Sequence, residues 1–567
     1  MKLEHQSRNL LAATKSKAKL NEFLIPEEFH FPQKDALQDL LILSIGILGQ
    51  LSALELKTPI SWEVSIDSEI DALKRQLVHV AEYFDALDMT GVENEISDYL
   101  TLLGAAAYYL ADMPGSATVL AKRLNTQQRY EFTVSTVEGP LVYMLKGEFS
   151  DRNYIQCDYP IVNNIVNAFC DYLDQIVDAS SVVDFCHVAR LEIYEFGSDR
   201  ELFLGDILIA IINRKIRNSA INCLPFFTGM PLENWVGVLK KQGFIKEFWP
   251  SQILLGKTGI FTGRSSVIQM PTSAGKTKST EIITRSAFLS ERASLTVIVA
   301  PFRALCRELS DTFRSAFSGE NVSINELLDI PQISDDDAAF MRFLLGEKFR
   351  DPKLHKSILI ATPEKLVYLL RHQPDIAPKI GLLIFDEGHQ FDTGGRGVTY
   401  ELLVASLIAA VPKETQKILI SAVIANGKTI GDWLYGEAGT AVYGSHFLPT
   451  NRSVAFASWT EEYGQFNYLD SEKVSEREFI VPRMIEQINL GRQGKEQNDR
   501  VFPDLSKPTT IPSYLGIRLS QIGTVAVFCG TKLTVNAVCN NILRAYDRGF
   551  SIPPPSSYSD LSEIGKL

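Results

Sequence analysis

One short stretch, residues 265–277, constrains the fold more than any other part of the chain. Its sequence is SSVIQMPTSAGKT, an apolar run followed by a loop of small residues that closes with Gly275, Lys276 and Thr277. A helix-compatible stretch, KSTEIITRSAFL, begins there. This order of strand, loop and helix is typical of a phosphate-binding loop, because loop N–H groups and the positive end of the helix dipole converge on one point.

The residue types in this loop match the chemistry of a bound triphosphate. Lys276 is expected to reach the β- and γ-phosphates, and the Thr277 hydroxyl is expected to ligate Mg²⁺. The backbone N–H groups of Ser273, Ala274 and Gly275 are expected to converge on the β-phosphate, and the candidate cofactor-binding loop comprises Thr272, Ser273, Ala274, Gly275, Lys276 and Thr277. The first glycine of the usual pattern is replaced by Met270. An ordinary strand–turn–helix is therefore the alternative for this motif taken alone.

A second chemical signal lies about 110 residues further on. In IGLLIFDEGHQ, Asp386 and Glu387 follow directly after an apolar run. A carboxylate here can complete the Mg²⁺ coordination begun by Thr277, and Glu387 can then orient and deprotonate an attacking water. The alternative is a helix N-cap followed by an acidic first turn.

The pattern around these motifs predicts the fold class. From about residue 240, short apolar runs alternate with helical stretches, which predicts α/β units and a parallel sheet flanked by helices. The five runs are SSVIQM, LTVIVAP, SILIAT, IGLLIFDE and QKILISAV. Residues 1–235 are predicted to be mostly helical, with a small hairpin at 129–145.

With the residues after each strand included, the sequence resembles the superfamily 2 helicases, and within them the superkiller-like DExH helicases, which include archaeal DNA repair helicases and RNA-exosome helicases. PTSAGKT resembles the first motif, and Asp386-Glu387-Gly388-His389 the DExH box. The other matching segments are FWPSQ (248–252), APFRALCREL (300–309), ATPEKLVYLLR (361–371), RGVTYE (396–401), SAVIANGKTIGDWL (421–434) and PTNRSV (449–454).

The resemblance implies a role for each candidate residue. It implies ATP and Mg²⁺ as cofactors, with adenine recognised by Gln252. The implied catalytic residues are Lys276, Asp386, Glu387 and His389, and the implied metal ligands are Thr277 and Asp386. The implied nucleic-acid contacts are Pro301, Arg303, Thr362 and Pro363. The implied coupling residues are Ser421, Ala422 and Arg396.

The resemblance also implies a domain order. We expect a helical N-terminal region of unknown role (1–235), a first RecA-like ATP-binding domain (236–462), a linker or insertion that includes a helix at 478–490 (463–520), and the incomplete start of a second RecA-like domain with a strand near 524–529 (521–567). Two departures stand out. Val423 replaces the threonine that ends the third motif, and the arginine-finger motif of the family does not follow VAVFCGTK. We therefore expect this chain alone to hydrolyse ATP weakly.

Composition limits the class of protein. A formal net charge of −12 argues against a protein that merely coats nucleic acid. The seven cysteines form no C-x-x-C pair, which favours reduced thiols. The most apolar window, 40–54, is shorter than the roughly 20 residues of a membrane span. We expect a buried helix there, no signal peptide, no membrane association and a cytoplasmic location.

Two functions remain open. The first is an ATP-dependent nucleic-acid helicase or translocase, with DNA favoured over RNA, in DNA repair or antiphage defence. The second is an ATP-gated nucleic-acid sensor or scaffold that controls a partner protein, such as a nuclease, through residues 1–235. In its layout the chain is similar to helicase subunits of bacterial antiphage systems such as Hachiman.

Overall fold

The computed structural model describes most of the chain. It covers residues 4–550 except for 31–38, 64–67, 91–93, 125–136, 150, 153, 155, 328–355, 390–393, 425, 437–439, 461–462, 471–475 and 495. The side chains of a few further residues, Arg396 among them, also lie outside the described part.

A seven-stranded sheet, parallel throughout, is formed by strands between residues 266 and 443. Its strands are β1 (Ser266–Gln269), β2 (Leu295–Val299), β3 (Val322–Glu326), β4 (Lys356–Ala361), β5 (Ile380–Phe385), β6 (Gln416–Ser421) and β7 (Thr440–Tyr443). Their order in the sheet is β3-β4-β2-β5-β6-β1-β7. The predicted α/β fold with a parallel sheet is confirmed, and all five predicted strands are present.

Alternation along each strand builds two separate cores, because successive side chains of a strand point to opposite faces. On β1, Ile268 packs into one core and Val267 into the other. On β5, Ile384 joins the first core and Phe385 the second. Helices cover both faces, so most of the strands are buried on both sides, which explains their apolar runs.

One helix precedes β1, and a helix follows each of β1, β2, β4, β5 and β6. They are Pro250–Lys257, Lys276–Leu289, Arg303–Ala316, Pro363–His372, Gly394–Ala410 and Gly427–Tyr435, with a 3₁₀ segment at Pro374–Lys379.

The N-terminal region is helical, as predicted. Its helices are His5–Glu22, Asp39–Lys57, Ser68–Asp88, Asn94–Leu110, Pro114–Arg123, Glu138–Lys146, Pro160–Leu173, Ala179–Phe196, Asp199–Arg217, Ala220–Thr228 and Val236–Leu239, with 3₁₀ segments at Glu27–Phe29 and Leu232–Asn234.

The chain divides into two compact units that do not follow the linear order of the sequence. One comprises residues 49–74 and 105–451 and contains the seven-stranded sheet. The other comprises residues 1–48, 75–104 and 452–567. The smaller unit has a three-stranded antiparallel sheet, a two-stranded sheet and two late helices. Their bounds are β8 (Ala455–Thr460), β9 (Tyr463–Leu469), β10 (Arg477–Glu486), β11 (Ile488–Gly491), β12 (Arg500–Phe502), Thr510–Leu519 and Lys532–Asp547.

Three local predictions differ from the structure. The helix predicted at 478–490 is wrong: these residues lie in β10 and β11, because Pro482 disfavours a helix interior and β9 supplies hydrogen-bond partners. The strand predicted at 524–529 is also wrong, since this stretch pairs with no strand among the described residues and Phe528 is 95% exposed. Of the predicted hairpin, Glu138–Lys146 is instead a helix, and 129–136 lie outside the described residues.

The apolar window near the N-terminus forms the predicted helix, but that helix is only partly buried. Asp39–Lys57 contains an 18-residue stretch that is long and apolar enough to cross a membrane by length and composition alone, a test that core helices also pass. Leu48 and Leu51 are fully buried, whereas Ile42 is 81% exposed. The expected burial therefore holds for one side of this helix.

Candidate active site

The strand order brings three candidate segments side by side. Strands β5, β6 and β1 are consecutive in the sheet, and all three are parallel. The segments that follow them, 386–389, 421–424 and 270–277, therefore meet at the same edge. The backbone ladder continues into the loop, where the Met270 N–H donates to the Ser421 carbonyl at 2.9 Å.

The loop 270–277 forms a tight turn that opens directly into a helix. Gly275 has a φ of +82°, a left-handed conformation that suits glycine, and the helix Lys276–Leu289 starts at the next residue. The Gly275 carbonyl accepts the first helical hydrogen bond, from Ser279 N–H at 2.9 Å. Anions are stabilised at such a helix start. One expected amide is engaged, because Ala274 N–H donates to the Pro271 carbonyl at 3.1 Å.

Lys276 forms an ion pair with the DExH segment across the edge of the sheet. Its Nζ lies 2.7 Å from Glu387 Oε1, and only 9% of Lys276 is exposed. Glu387 has a φ of +51°, which is uncommon for a residue other than glycine. Its N–H donates to Asp386 Oδ1 at 3.0 Å. The lysine that would hold phosphates is thus held by the carboxylate that would activate water.

His389 extends this contact to the end of β6. Its Nδ1 lies 3.2 Å from Glu387 Oε2 and 3.3 Å from the Ser421 hydroxyl. Ser421 is fully buried, whereas Val423, two residues on, is 71% exposed. Ala422 lies between them, half-buried. A series of polar contacts therefore runs from Lys276 through Glu387 and His389 to the predicted coupling segment.

The carboxylate of Asp386 and the hydroxyl of Thr277 are the candidate ligands for a magnesium ion. Desolvation raises the pKa of Asp386, and neighbouring Glu387 adds to that rise while Lys276 opposes it. Thr277 is exposed at the helix start. Among the described residues, no group of three or more His, Cys, Asp and Glu side chains could hold a metal by itself. Asp386 and Thr277 therefore fit an ion that takes its remaining ligands from phosphate and water, as Mg²⁺ does.

Gln252 packs against the phosphate loop. Trp249 N–H donates to its Oε1 at 2.8 Å, and a Cβ on Gly275 would lie 3.0 Å from its Nε2. The neighbouring Ser251 hydroxyl donates to the Ala274 carbonyl at 2.7 Å. Ser251 was not among the predicted residues, and its position beside Gln252 in FWPSQ was the available signal.

Gly388 belongs to the DExH segment, but the sequence analysis assigned it no role. A Cβ at this position would overlap the side chain of Leu419 on β6. The glycine therefore allows the DExH segment to lie close to the neighbouring strand. A glycine directly after Asp-Glu was the signal that could have revealed it.

The predicted nucleic-acid residues follow another adjacent pair of strands. Pro301 and Arg303 come after β2, and Thr362 and Pro363 come after β4. The two segments touch through Ala300 N–H, which donates to the Ala361 carbonyl at 3.1 Å. Arg303 is exposed, whereas Thr362 and Pro363 are buried. The structure thus brings the two segments together but leaves the Thr362 side chain inside.

The remaining coupling candidate cannot be placed in the same detail. Arg396 lies in the first turn of the helix Gly394–Ala410, and its side chain is outside the described part of the structure.

A parallel sheet with a phosphate loop after β1 and paired carboxylates after β5 defines a RecA-like P-loop nucleotide-binding domain. The model of the DEAD/DEAH box helicase family matches residues 252–430. This match begins at Gln252 and includes the phosphate loop, the DExH segment and the end of β6. The match covers less than half of the chain, and over these residues the sequence is similar to DEAD/DEAH box helicases.

Similar proteins include two kinds of curated relative. The Hachiman protein HamB of Bacillus cereus is 26% identical over 293 residues, which is 52% of this chain and 25% of HamB. The ATP-dependent DNA helicase Hel308 of Pyrococcus horikoshii is 28% identical over 236 residues, which is 40% of this chain and 30% of that helicase. The chain thus covers less than a third of the length of either relative.

Among solved structures, S. cerevisiae Dbp5 bound to Gle1 and IP6 matches with a TM-score of 0.29 and 18% identity. The match covers 38% of this chain and 51% of the Dbp5 chain.

Proposed function

We propose that this chain is an ATP-dependent nucleic-acid helicase or translocase that acts on DNA, in DNA repair or antiphage defence. The observation that carries the proposal is the contact between Lys276 Nζ and Glu387 Oε1, 2.7 Å apart. This contact lies at the N-terminus of the helix Lys276–Leu289, which is the positive end of its dipole. A lysine, a helix start and two carboxylates at one point are the parts that phosphoryl transfer from ATP requires.

In this proposal the site residues divide into those that bind the phosphates, those that hold Mg²⁺ and those that act on the attacking water. Lys276 and the loop 272–277 bind the phosphates, and Thr277 and Asp386 hold Mg²⁺. Glu387 orients the attacking water, and His389 connects it to Ser421. Mg²⁺ supplies charge neutralisation for the phosphates when it is bound.

The nucleic acid would lie across the ends of β2 and β4. Arg303 is exposed at the start of the helix Arg303–Ala316, where a phosphate would meet both a guanidinium and a helix N-terminus. The relative that is named as an ATP-dependent DNA helicase supports DNA as the substrate class.

The test compares Lys276→Ala with a matched control, Lys379→Ala. Lys379 is exposed and lies just before β5, at the opposite edge of the sheet. ATP binding and DNA-stimulated hydrolysis are measured on the full chain. We expect Lys276→Ala to abolish both and Lys379→Ala to leave both unchanged. Absence of ATP binding in the unsubstituted chain would refute the proposal, and equal stimulation by RNA would refute the preference for DNA.

A second candidate is an ATP-gated sensor or scaffold that controls a partner protein such as a nuclease. Apolar side chains at three-residue spacing are exposed along the helix Ala179–Phe196, namely Phe185, Val188, Leu191 and Tyr194. The exposed Val423, where the family has threonine, also fits weak coupling of hydrolysis to unwinding. On this reading the chain binds DNA and ATP without displacing a strand from a tailed duplex. Efficient strand displacement would refute it.

A further inference from the structure

The segment that carries Gln252 is tied to the helical N-terminal region through its backbone. Residues 246–248 run antiparallel to residues 218–220 and form an isolated β-bridge with them. The Phe248 N–H donates to the Asn218 carbonyl at 2.7 Å, and the Phe248 ring is fully buried. The backbone that leads to Gln252 is therefore held by residues 218–220, which lie outside the seven-stranded sheet.

A cluster of side chains, two of them buried, strengthens this attachment at the half-buried Glu247. The Tyr109 hydroxyl donates to Glu247 Oε1, and Lys215 Nζ lies 2.9 Å from Glu247 Oε2. Lys215 Nζ also lies 4.4 Å from the centre of the Tyr109 ring. Burial, together with the Glu247 carboxylate, raises the pKa of Tyr109, so its hydroxyl remains a neutral donor. Charged groups that are largely removed from water need good pairing, and this pairing restricts their geometry.

The helix that carries Lys215 is itself held by a second ionic cluster. Arg214, the preceding residue, forms an ion pair with Glu55 and donates to the Leu110 carbonyl at 2.6 Å. Arg217 Nη2 lies 2.9 Å from Glu55 Oε2. These contacts join the C-terminal end of the helix Asp199–Arg217 to Glu55 and Leu110. Glu247 is thus attached to a helix that is itself cross-linked by buried ion pairs.

From Glu247 the connection to the nucleotide loop is short. Two residues on, Trp249 N–H fixes the Gln252 carbonyl oxygen, and Ser251 bonds to the Ala274 carbonyl. The Gln252 amide lies against Gly275. A displacement of residue 247 would therefore shift Gln252, the residue expected to contact the base, while Lys276 itself has no direct link to residue 247 in the described part of the structure.

We propose that Glu247, held by Lys215 and Tyr109, is a positioning residue for Gln252, so that the helix Asp199–Arg217 sets the base selectivity of the nucleotide site. This inference rests on the proposed ATP site. Recognition of a base by an amide depends on placement to within a fraction of an ångström. Lys276 makes its ion pair with Glu387 and contacts neither Glu247 nor Gln252 in the contacts described, so we expect binding of the triphosphate to change little when Glu247 is replaced.

The experiment measures equilibrium binding of ATP, CTP and inorganic tripolyphosphate to the full chain and its variants. Glu247→Ala removes the carboxylate that pairs with both Tyr109 and Lys215. Tyr109→Phe removes only the hydroxyl that donates to Glu247. Asp206→Asn is the matched control. Asp206 lies on the helix Asp199–Arg217, which also carries Lys215, but its carboxylate pairs with Arg190 instead of with the cluster at Glu247. Gln252→Ala reports the full loss of base recognition.

We expect the preference for ATP over CTP to fall about fivefold or more in Glu247→Ala, and by a smaller factor in Tyr109→Phe, because a hydrogen bond to the base is lost or weakened. Tripolyphosphate affinity should stay the same in both variants, and Asp206→Asn should match the unsubstituted chain. Restoration of selectivity by Glu247→Gln, which keeps an acceptor for Tyr109, would separate positioning from charge.

The outcomes distinguish this inference from the proposed function. Unchanged selectivity in Glu247→Ala and Tyr109→Phe, with selectivity lost in Gln252→Ala, would overturn the inference alone. If the unsubstituted chain shows no preference for ATP, the assignment of Gln252 itself fails. If Glu247→Ala also loses tripolyphosphate binding through misfolding, Tyr109→Phe decides.

Discussion

The ion pair between Lys276 and Glu387 leads to a specific prediction for the substitution Glu387→Gln. In the structure, Lys276 Nζ lies 2.7 Å from Glu387 Oε1, and the two side chains are 10% and 22% exposed. A bound triphosphate would compete with Glu387 for the same ammonium group. The substitution removes the competing charge but keeps the size of the side chain.

The magnitude follows from the strength of this contact. A hydrogen bond between charged groups contributes about 1.5–3 kcal/mol, and partial exposure of Glu387 reduces this to about 1–1.5 kcal/mol. Releasing Lys276 should therefore tighten ATP binding about five- to tenfold. Hydrolysis should fall by about 10² or more, because the general base is lost. The variant should therefore accumulate in an ATP-bound state.

The assay pairs ATP titration with single-turnover hydrolysis, both in the presence of Mg²⁺ and DNA. Glu414→Gln is the control, since Glu414 is an exposed glutamate before β6 at the other edge of the sheet. That variant should behave as the unsubstituted chain in both measurements. Weaker ATP binding by Glu387→Gln would refute the reasoning, because it would mean that Glu387 supports Lys276 rather than competing for it.

Three further substitutions test the charges and packing around the site. Burial raises the pKa of Asp386, so its ionised form destabilises the fold as pH rises through that pKa; Asp386→Asn should raise the free energy of unfolding near neutral pH in urea titrations, and the gain should vanish below the ordinary aspartate range. Burial opposes ionisation of Glu55, but its two arginine partners outweigh this and lower its pKa to about 2; the stability that this carboxylate contributes should be lost as pH falls from the ordinary glutamate range towards that value. Glu55→Gln should cost about 3–5 kcal/mol, because Arg214 is left buried and underpaired, and a cost below about 1 kcal/mol would contradict this. Gly388→Ala should cost about 1–3 kcal/mol through overlap with Leu419, and less in a Leu419→Ala background, as double-mutant unfolding would show.

The sheet was largely predictable because most of its strands are buried on both faces. β2, β4, β5 and β6 are runs of apolar residues with few interruptions, and such runs stand out in any sequence. β3 and β7 did not stand out. β3 has the sequence VSINE, with polar residues and half-buried side chains at the edge of the sheet, and β7 has only four residues.

The candidate site was predictable as a set of segments but not as a set of contacts. The positions after apolar runs marked Lys276 and Glu387, yet their pairing follows from the strand order, which local pattern does not contain. The same holds for the hydrogen bond from Ser251 to the Ala274 carbonyl and for the one from Tyr109 to Glu247, because tertiary packing alone brings these residues together. The apolar residues of 478–490 favour a helix by their spacing, but most of them form strand β10, which pairs with β9.

The strand order also limits how a bound phosphate can act on the rest of the site. Asp386 N–H donates to the Val299 carbonyl at 2.8 Å, and Ala300 N–H donates to the Ala361 carbonyl at 3.1 Å, so an unbroken ladder joins the ends of β5, β2 and β4. A ladder of this kind resists displacement of one backbone segment past another. Side chains outside the ladder are freer to change partners. When phosphate takes Lys276 from Glu387, the groups able to respond are therefore the carboxylate and the imidazole of His389 beyond it, so the signal should reach the end of β6 through side chains rather than through movement of the sheet.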